Sequence, residues 1–196
     1  MSSPITVNTA QDPPTCRSPD PAPRPAAFKP PALSCDCHAH IIGSPADYPM
    51  VTPRSYTPPP ASLQAYRTML HTLGIERAVI VQPSFYGVDN RCTRDAVRAA
   101  QGAFRGVAVV PPDVSVSELA EMDSEGFKGA RFNLLFRGGV SLDGLEALAP
   151  RLADLGWHMQ FLIDIATLPT LEHRIAALPC DVVFDHLGHF KLIDGD

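Results

Sequence analysis

The amino-acid sequence predicts an α/β fold of the (β/α)8 TIM-barrel type, with about six βα units present in its 196 residues. Three observations carry this. Runs such as 75–82 and 127–133 are too apolar to be exposed on either face, as the strands of a parallel sheet are. Amphipathic segments alternate with them and end at Gly74, Gly102, Gly126 and Gly156, the pattern of a sheet wrapped in helices. Polar residues gather at the C-terminal ends of several different strands. No Gly-x-Gly-x-x-Gly or phosphate-loop pattern follows any strand, so a barrel is favoured over an open nucleotide-binding sheet.

Taken in order, residues 1–33 are rich in proline (Pro13-Pro14, Pro19, Pro21, Pro23, Pro25, Pro30-Pro31) and poor in large apolar side chains. Such a stretch cannot bury a core. It is expected to be a disordered or extended arm draped on the domain, which spans 34–196. The first strand, 34–42, alternates Asp36, His38 and His40, and a period of two places all three on one face. A proline-rich loop, 43–60, carries Arg54 and Tyr56 as candidate substrate contacts. Helix 61–73 follows, with Leu63, Tyr66, Leu70 and Leu73 at helical spacing, then strand 75–82. Pro83-Ser84-Phe85-Tyr86-Gly87 leads to helix 89–101, which Asp89 or Asn90 can cap. The remaining expected elements are strand 104–110, helix 115–124, strand 127–133, helix 141–155, strand 157–163, helix 167–178 and strand 181–185.

Composition narrows the function. With 45% hydrophobic and 19% charged residues the chain is suited to one sizeable core. A net charge of -5 and no Lys/Arg cluster argue against a nucleic-acid partner. Cys16, Cys35, Cys37, Cys92 and Cys180 lack zinc-finger spacing and read as reduced thiols. No apolar run is long enough to cross a membrane and no signal peptide opens the chain, so a soluble cytoplasmic protein is expected. Oligomeric state is not legible.

The polar strand ends offer His38 and His40, Gln82 with Ser84, Arg131 with Asn133 and nearby Arg137, Gln160 with Asp164, and Asp185-His186-Leu187-Gly188-His189. In a barrel these converge on one mouth. Alone, Arg137 also suits a solvated loop and Asp164 a helix cap.

In Asp36-x-His38-x-His40, Ser55-Tyr56-Thr57-Pro58, Gln82-Pro83-Ser84-Phe85-Tyr86-Gly87-x-Asp89-Asn90, Gly129-x-Arg131-x-Asn133 and Asp185-His186-x-Gly188, the sequence resembles the amidohydrolase superfamily, specifically its 2-pyrone-4,6-dicarboxylate lactonase branch. The resemblance covers 34 to about 190. It implies hydrolysis of a carboxylate-bearing lactone in aromatic-compound degradation. His38, His40 and His186 would polarise the lactone carbonyl, Arg131 and Arg137 would hold carboxylates, and Tyr56, Ser84 and Gln160 would add substrate contacts.

Metal-dependent members join the strand-1 histidines to a lysine or histidine from strands 4 or 5 and an aspartate from strand 8. Here strand 4 carries Arg131 and strand 5 carries Gln160, while His158 lies at the wrong end of its strand. No cofactor is therefore expected. Zinc on His38, His40 and His186, in a metal-dependent hydrolase or decarboxylase, is the alternative. In the family the general base is an aspartate at the end of strand 8, beyond the six strands expected here. Asp36, Asp164 and Asp185 are poor substitutes, so slow turnover is expected of this chain alone. A catalytically inactive barrel that only binds carboxylates is the third reading.

Overall fold

The computed structural model describes residues 13–190. Five helices alternate with the strands in the order β1 (Cys35–Ala39), α1 (Leu63–Leu73), β2 (Arg77–Val81), α2 (Arg91–Ala99), β3 (Phe104–Ala108), α3 (Val116–Glu125), β4 (Phe127–Asn133), α4 (Leu145–Asp154), β5 (His158–Leu162), α5 (Leu168–Ala176) and β6 (Val182–Phe184). The strands form one parallel sheet in sequence order, from β1 to β6.

The sheet is strongly curled. Strands five places apart in a flat sheet lie about 24 Å apart. Yet His38 Nδ1 on β1 comes within 3.5 Å of Asp185 Oδ1 at the end of β6. Six of a barrel's eight strands have bent until their two ends meet across the mouth.

Two apolar clusters fill the layer between sheet and helices. Around β3–β5, the α4 stripe Leu145, Leu148, Ala149 and Leu152 packs with Phe127, Trp157 and Phe161. Around β1–β2, Ile80, Phe85, Tyr86, Cys92 and Val97 pack with Leu70 of α1. Helix ends follow their residues. The Ser62 and Ser115 hydroxyls accept the N–H groups of Ala65 and Glu118, and Gly74 (φ 74) and Gly126 (φ 108) close α1 and α3 in the left-handed conformation.

Three local expectations are corrected. β1 has a register irregularity between Asp36 and Ala39, where three steps oppose the two from Ala78 to Ile80. This bulge breaks the period of two, and Asp36 leaves the histidine face: its carboxylate accepts the Tyr66 hydroxyl (2.9 Å) and the His38 N–H (3.2 Å). α4 starts at Leu145, not 141, because Gly144 takes φ 75 and Ser141 closes a turn with Asp143. Asn90 does not cap α2. It spans to the end of β3, pairing with both the N–H and carbonyl of Val109, and Asp89 accepts the Arg91 N–H instead.

Residues 13–33 hold no helix or strand beyond the bridge of Thr15 to Thr57, while 1–12 of the expected arm lie outside the described residues. No described helix is long and apolar enough to cross a membrane.

Candidate active site

The site lies at the C-terminal ends of the strands, where a buried carboxylate gathers the others. Asp185, at the end of β6, is 4% exposed. Its Oδ2 accepts Arg131 Nε (2.9 Å) and lies 2.8 Å from a second guanidinium nitrogen. Its Oδ1 accepts Gln160 Nε2 (2.6 Å) and faces His38 Nδ1. Arg131 also donates to the Gln82 carbonyl (3.2 Å). Burial alone would raise the Asp185 carboxyl, but the His38 ring and the Arg131 charge outweigh it and hold its pKa below the ordinary value.

Arg131 and Gln160, expected at the substrate, are thus first engaged inside the protein. β-strand alternation explains both: they pair in register and point inward, beneath the mouth. His158 sits below them, opposite Gly129, at the far end of β5.

The histidines meet above Asp185. The His38 ring centre lies 5.1 Å from that of His40 and 4.8 Å from that of His186. His38 Nε2 is buried with no partner among the described residues, so it is the ring atom left free to meet a ligand. His186 to His189 all have positive φ, between 50° and 69°, a left-handed run that turns the chain across the opening and leaves His186 exposed.

His40 differs. Its Nδ1 lies 2.7 Å from the Val81 carbonyl, so Nδ1 carries the proton. Burial pushes its pKa down to about 4, with the Arg131 charge adding to this and the Val81 hydrogen bond opposing it. The neutral ring presents an Nε2 lone pair. It is built to accept a hydrogen bond, not to donate one to a lactone carbonyl.

The loops complete the rim. Tyr56 stacks edge-to-face between Phe85 (5.5 Å) and Phe136 (5.6 Å), and burial raises its phenol, which stays a neutral donor. Ser84 is buried at the end of β2. Arg137 is exposed, with its N–H on Ser55 Oγ (2.9 Å). Gly138 beside it needs its freedom: φ is 99°, and a Cβ there would collide with the Ser84 carbonyl oxygen. Asn133, named in the sequence among the polar strand ends but given no role there, caps this loop through Oδ1 on the N–H groups of Leu135 and Phe136, leaving Nδ2 buried and unpartnered among the described residues. Asp164 caps a turn, its carboxylate accepting the Ala166 N–H.

His38, Asp185 and His186 bring ligand atoms within 4.8 Å of one another. They do not fit a divalent metal as arranged. Both oxygens of Asp185 are engaged, and a guanidinium already supplies the positive charge beside it.

The sequence matches the Amidohydrolase family over residues 35–193. It is 38% identical over 170 residues to a 2-pyrone-4,6-dicarboxylate hydrolase of Comamonas testosteroni, covering 86% of this chain and 56% of that one. It is 33% identical over 180 residues to a 4-sulfomuconolactone hydrolase of Hydrogenophaga intermedia, covering 89% and 59%. The fold superimposes with a TM-score of 0.75 and 25% identity on a protein of Acinetobacter baumannii described as a probable 2-pyrone-4,6-dicarboxylic acid hydrolase with citric acid bound, covering 83% of this chain and 61% of that one. The chain spans less than two thirds of the length of each.

Two outcomes follow from the buried pair and from His40. Asp185→Asn keeps the shape but leaves Arg131 uncompensated, and is expected to cost about 3–5 kcal/mol in urea denaturation. His40 takes up a proton near the ordinary histidine value of 6.5 when unfolded but only at about 4 when folded. The unfolded state therefore binds more protons between these values, and stability falls as pH drops from 6.5 to 4, by on the order of 3 kcal/mol. A His40→Asn variant is expected to lack that part of the slope in denaturation curves taken across the range.

Proposed function

The chain belongs to the amidohydrolase family, and from that premise we propose that its site binds a carboxylate-bearing lactone of the 2-pyrone-4,6-dicarboxylate kind, opened by water in aromatic-compound breakdown. The observation that carries this reading is the set of fixed polar groups at the mouth: the unpartnered His38 Nε2 over the Asp185–Arg131 pair, with Arg137, Tyr56 and Ser84 on the rim. The names of the relatives agree with it, and the Acinetobacter protein holds citric acid, itself rich in carboxylates.

In this reading the ring carbonyl lies against His186 and against His38, which donates from Nε2 as the imidazolium paired with Asp185. Water attack on the carbonyl carbon places negative charge on its oxygen, which preorganised donors stabilise more than they stabilise the substrate. Asp185 steadies the His38 ring from below, and Arg131 and Gln160 keep Asp185 ionised and in place. His40, with its lone pair outward, holds the water. Arg137 grips a ring carboxylate through its planar fork, and Tyr56 and Ser84 donate to the remaining oxygens. The ester C–O bond then breaks, and the ring oxygen leaves as an enol that becomes a ketone.

No metal takes part, because the guanidinium of Arg131 occupies the electrostatic place a cation would take beside Asp185. The free thiols suit a reducing, cytoplasmic setting. Attack also requires a base, and the one buried carboxylate among the described residues, Asp185, is committed to its partners. With that carboxylate committed, the described residues are expected to open the ring slowly by themselves, since general acid-base catalysis is worth about 10²- to 10⁴-fold.

Calorimetric titration with isophthalate, a planar six-membered ring with two carboxylates placed as on the pyrone, tests the site without needing turnover. Binding is expected, unchanged after EDTA treatment and weakened about 10- to 100-fold by Arg137→Ala. Loss of binding on chelation would overturn the metal-free reading, and no binding at all would overturn the function.

A further inference from the structure

We propose that the proline-rich arm is part of the binding site and that Arg17 supplies a second guanidinium for the substrate's carboxylates; this rests on the lactone-binding reading. The arm is fastened at the mouth. Thr15 pairs in parallel with Thr57, with the Thr57 N–H on the Pro14 carbonyl (2.8 Å) and the Cys16 N–H on the Thr57 carbonyl (3.3 Å). Thr57 directly follows Tyr56, so the pairing sets the arm beside a rim residue.

The next residues, Cys16 and Arg17, then close one side of a cavity of about 310 Å³ whose other walls include His40, Tyr56 and Phe85. That volume lies at the small end of ligand pockets, enough for one six-membered ring with its substituents. The cavity joins the cluster already described, because the His40 ring that lines it also lies against that of His38.

Charge accounting points to Arg17. A ring with two carboxylates calls for two cations. Arg131 has its charge balanced by Asp185 and also donates to the Gln82 carbonyl, and Arg54 is bound to Thr57 Oγ1 and the Val51 carbonyl. Arg137, on the loop that Ser55 holds, supplies one cation. Among the described residues Arg17, which lines the cavity with Tyr56, has no carboxylate partner. Prolines at 13, 14 and 19 restrict the backbone on either side of it, so little backbone freedom is lost when it engages an anion.

Isophthalate and benzoate titrated into the wild-type chain, Arg17→Ala and Arg17→Lys, at low salt, test this. Isophthalate affinity is expected to fall about tenfold in Arg17→Ala and to recover in part in Arg17→Lys, while benzoate, which one cation satisfies, changes less. Bound isophthalate is also expected to slow tryptic cleavage between Arg17 and Ser18. Unaltered isophthalate affinity in Arg17→Ala, with Arg137→Ala still weakened, would overturn the role of the arm and leave the function standing. Absence of isophthalate binding to the wild type would overturn both.

Discussion

The interaction on which the rest of the structure depends is the buried pair between Arg131 and Asp185. Its members come from β4 and the end of β6, and their other partners come from β5 through Gln160, from β2 through the Gln82 carbonyl and from β1 through His38. The pair thereby ties together five of the six strands. Burying two charges costs several kcal/mol per ion, and attraction repays this only when the remaining hydrogen-bonding capacity is also satisfied. Here it is met on both oxygens of Asp185 and on two sides of the guanidinium. The pair is best understood as a device that fixes where the curled sheet converges.

A second layer of constraint sits above it. The long loop between β1 and α1 is closed at its base by reciprocal backbone bonds between Ile42 and Ala61. It reaches the loop after β4 through Ser55 and Arg137, while Tyr56 wedges between Phe85 and Phe136. Gly138 lets that loop lie directly on the Ser84 carbonyl. Three separate loops thus share one aromatic and one close backbone contact. Side chains presented by interlocked loops keep their geometry better than side chains on loops that move alone.

Much of this was legible in the sequence. The alternation of apolar runs with glycine-ended amphipathic segments located the six strands, because burial on both faces leaves a signal that needs no knowledge of the partner. The approach of His186 to His38 followed from strand ends and barrel geometry. What could not be read were the pairings at the mouth. Arg131 and Gln160 look the same in sequence whether they face a ligand or a carboxylate some 50 or 25 residues further along, and only the curl of the sheet decides. Asp36 was lost to a bulge, which adds one residue and leaves no mark in the residue types. The neutral state of His40 depends on the Val81 carbonyl, another long-range neighbour.

These pairings change the electrostatic character of the site. Counted from the sequence, it holds two arginines and three histidines facing a ligand. In the fold, one arginine is neutralised by Asp185 and one histidine is held uncharged, so the positive charge available to an anion has moved from the floor to the rim. In the proposed reading, a floor neutral overall leaves room for the less charged part of the ligand, its carbonyl, while carboxylates go to the rim, where Arg137 and the arm lie. That reading has the site orient a molecule carrying both groups, with its reactive ester down and its charges up, before any chemistry begins.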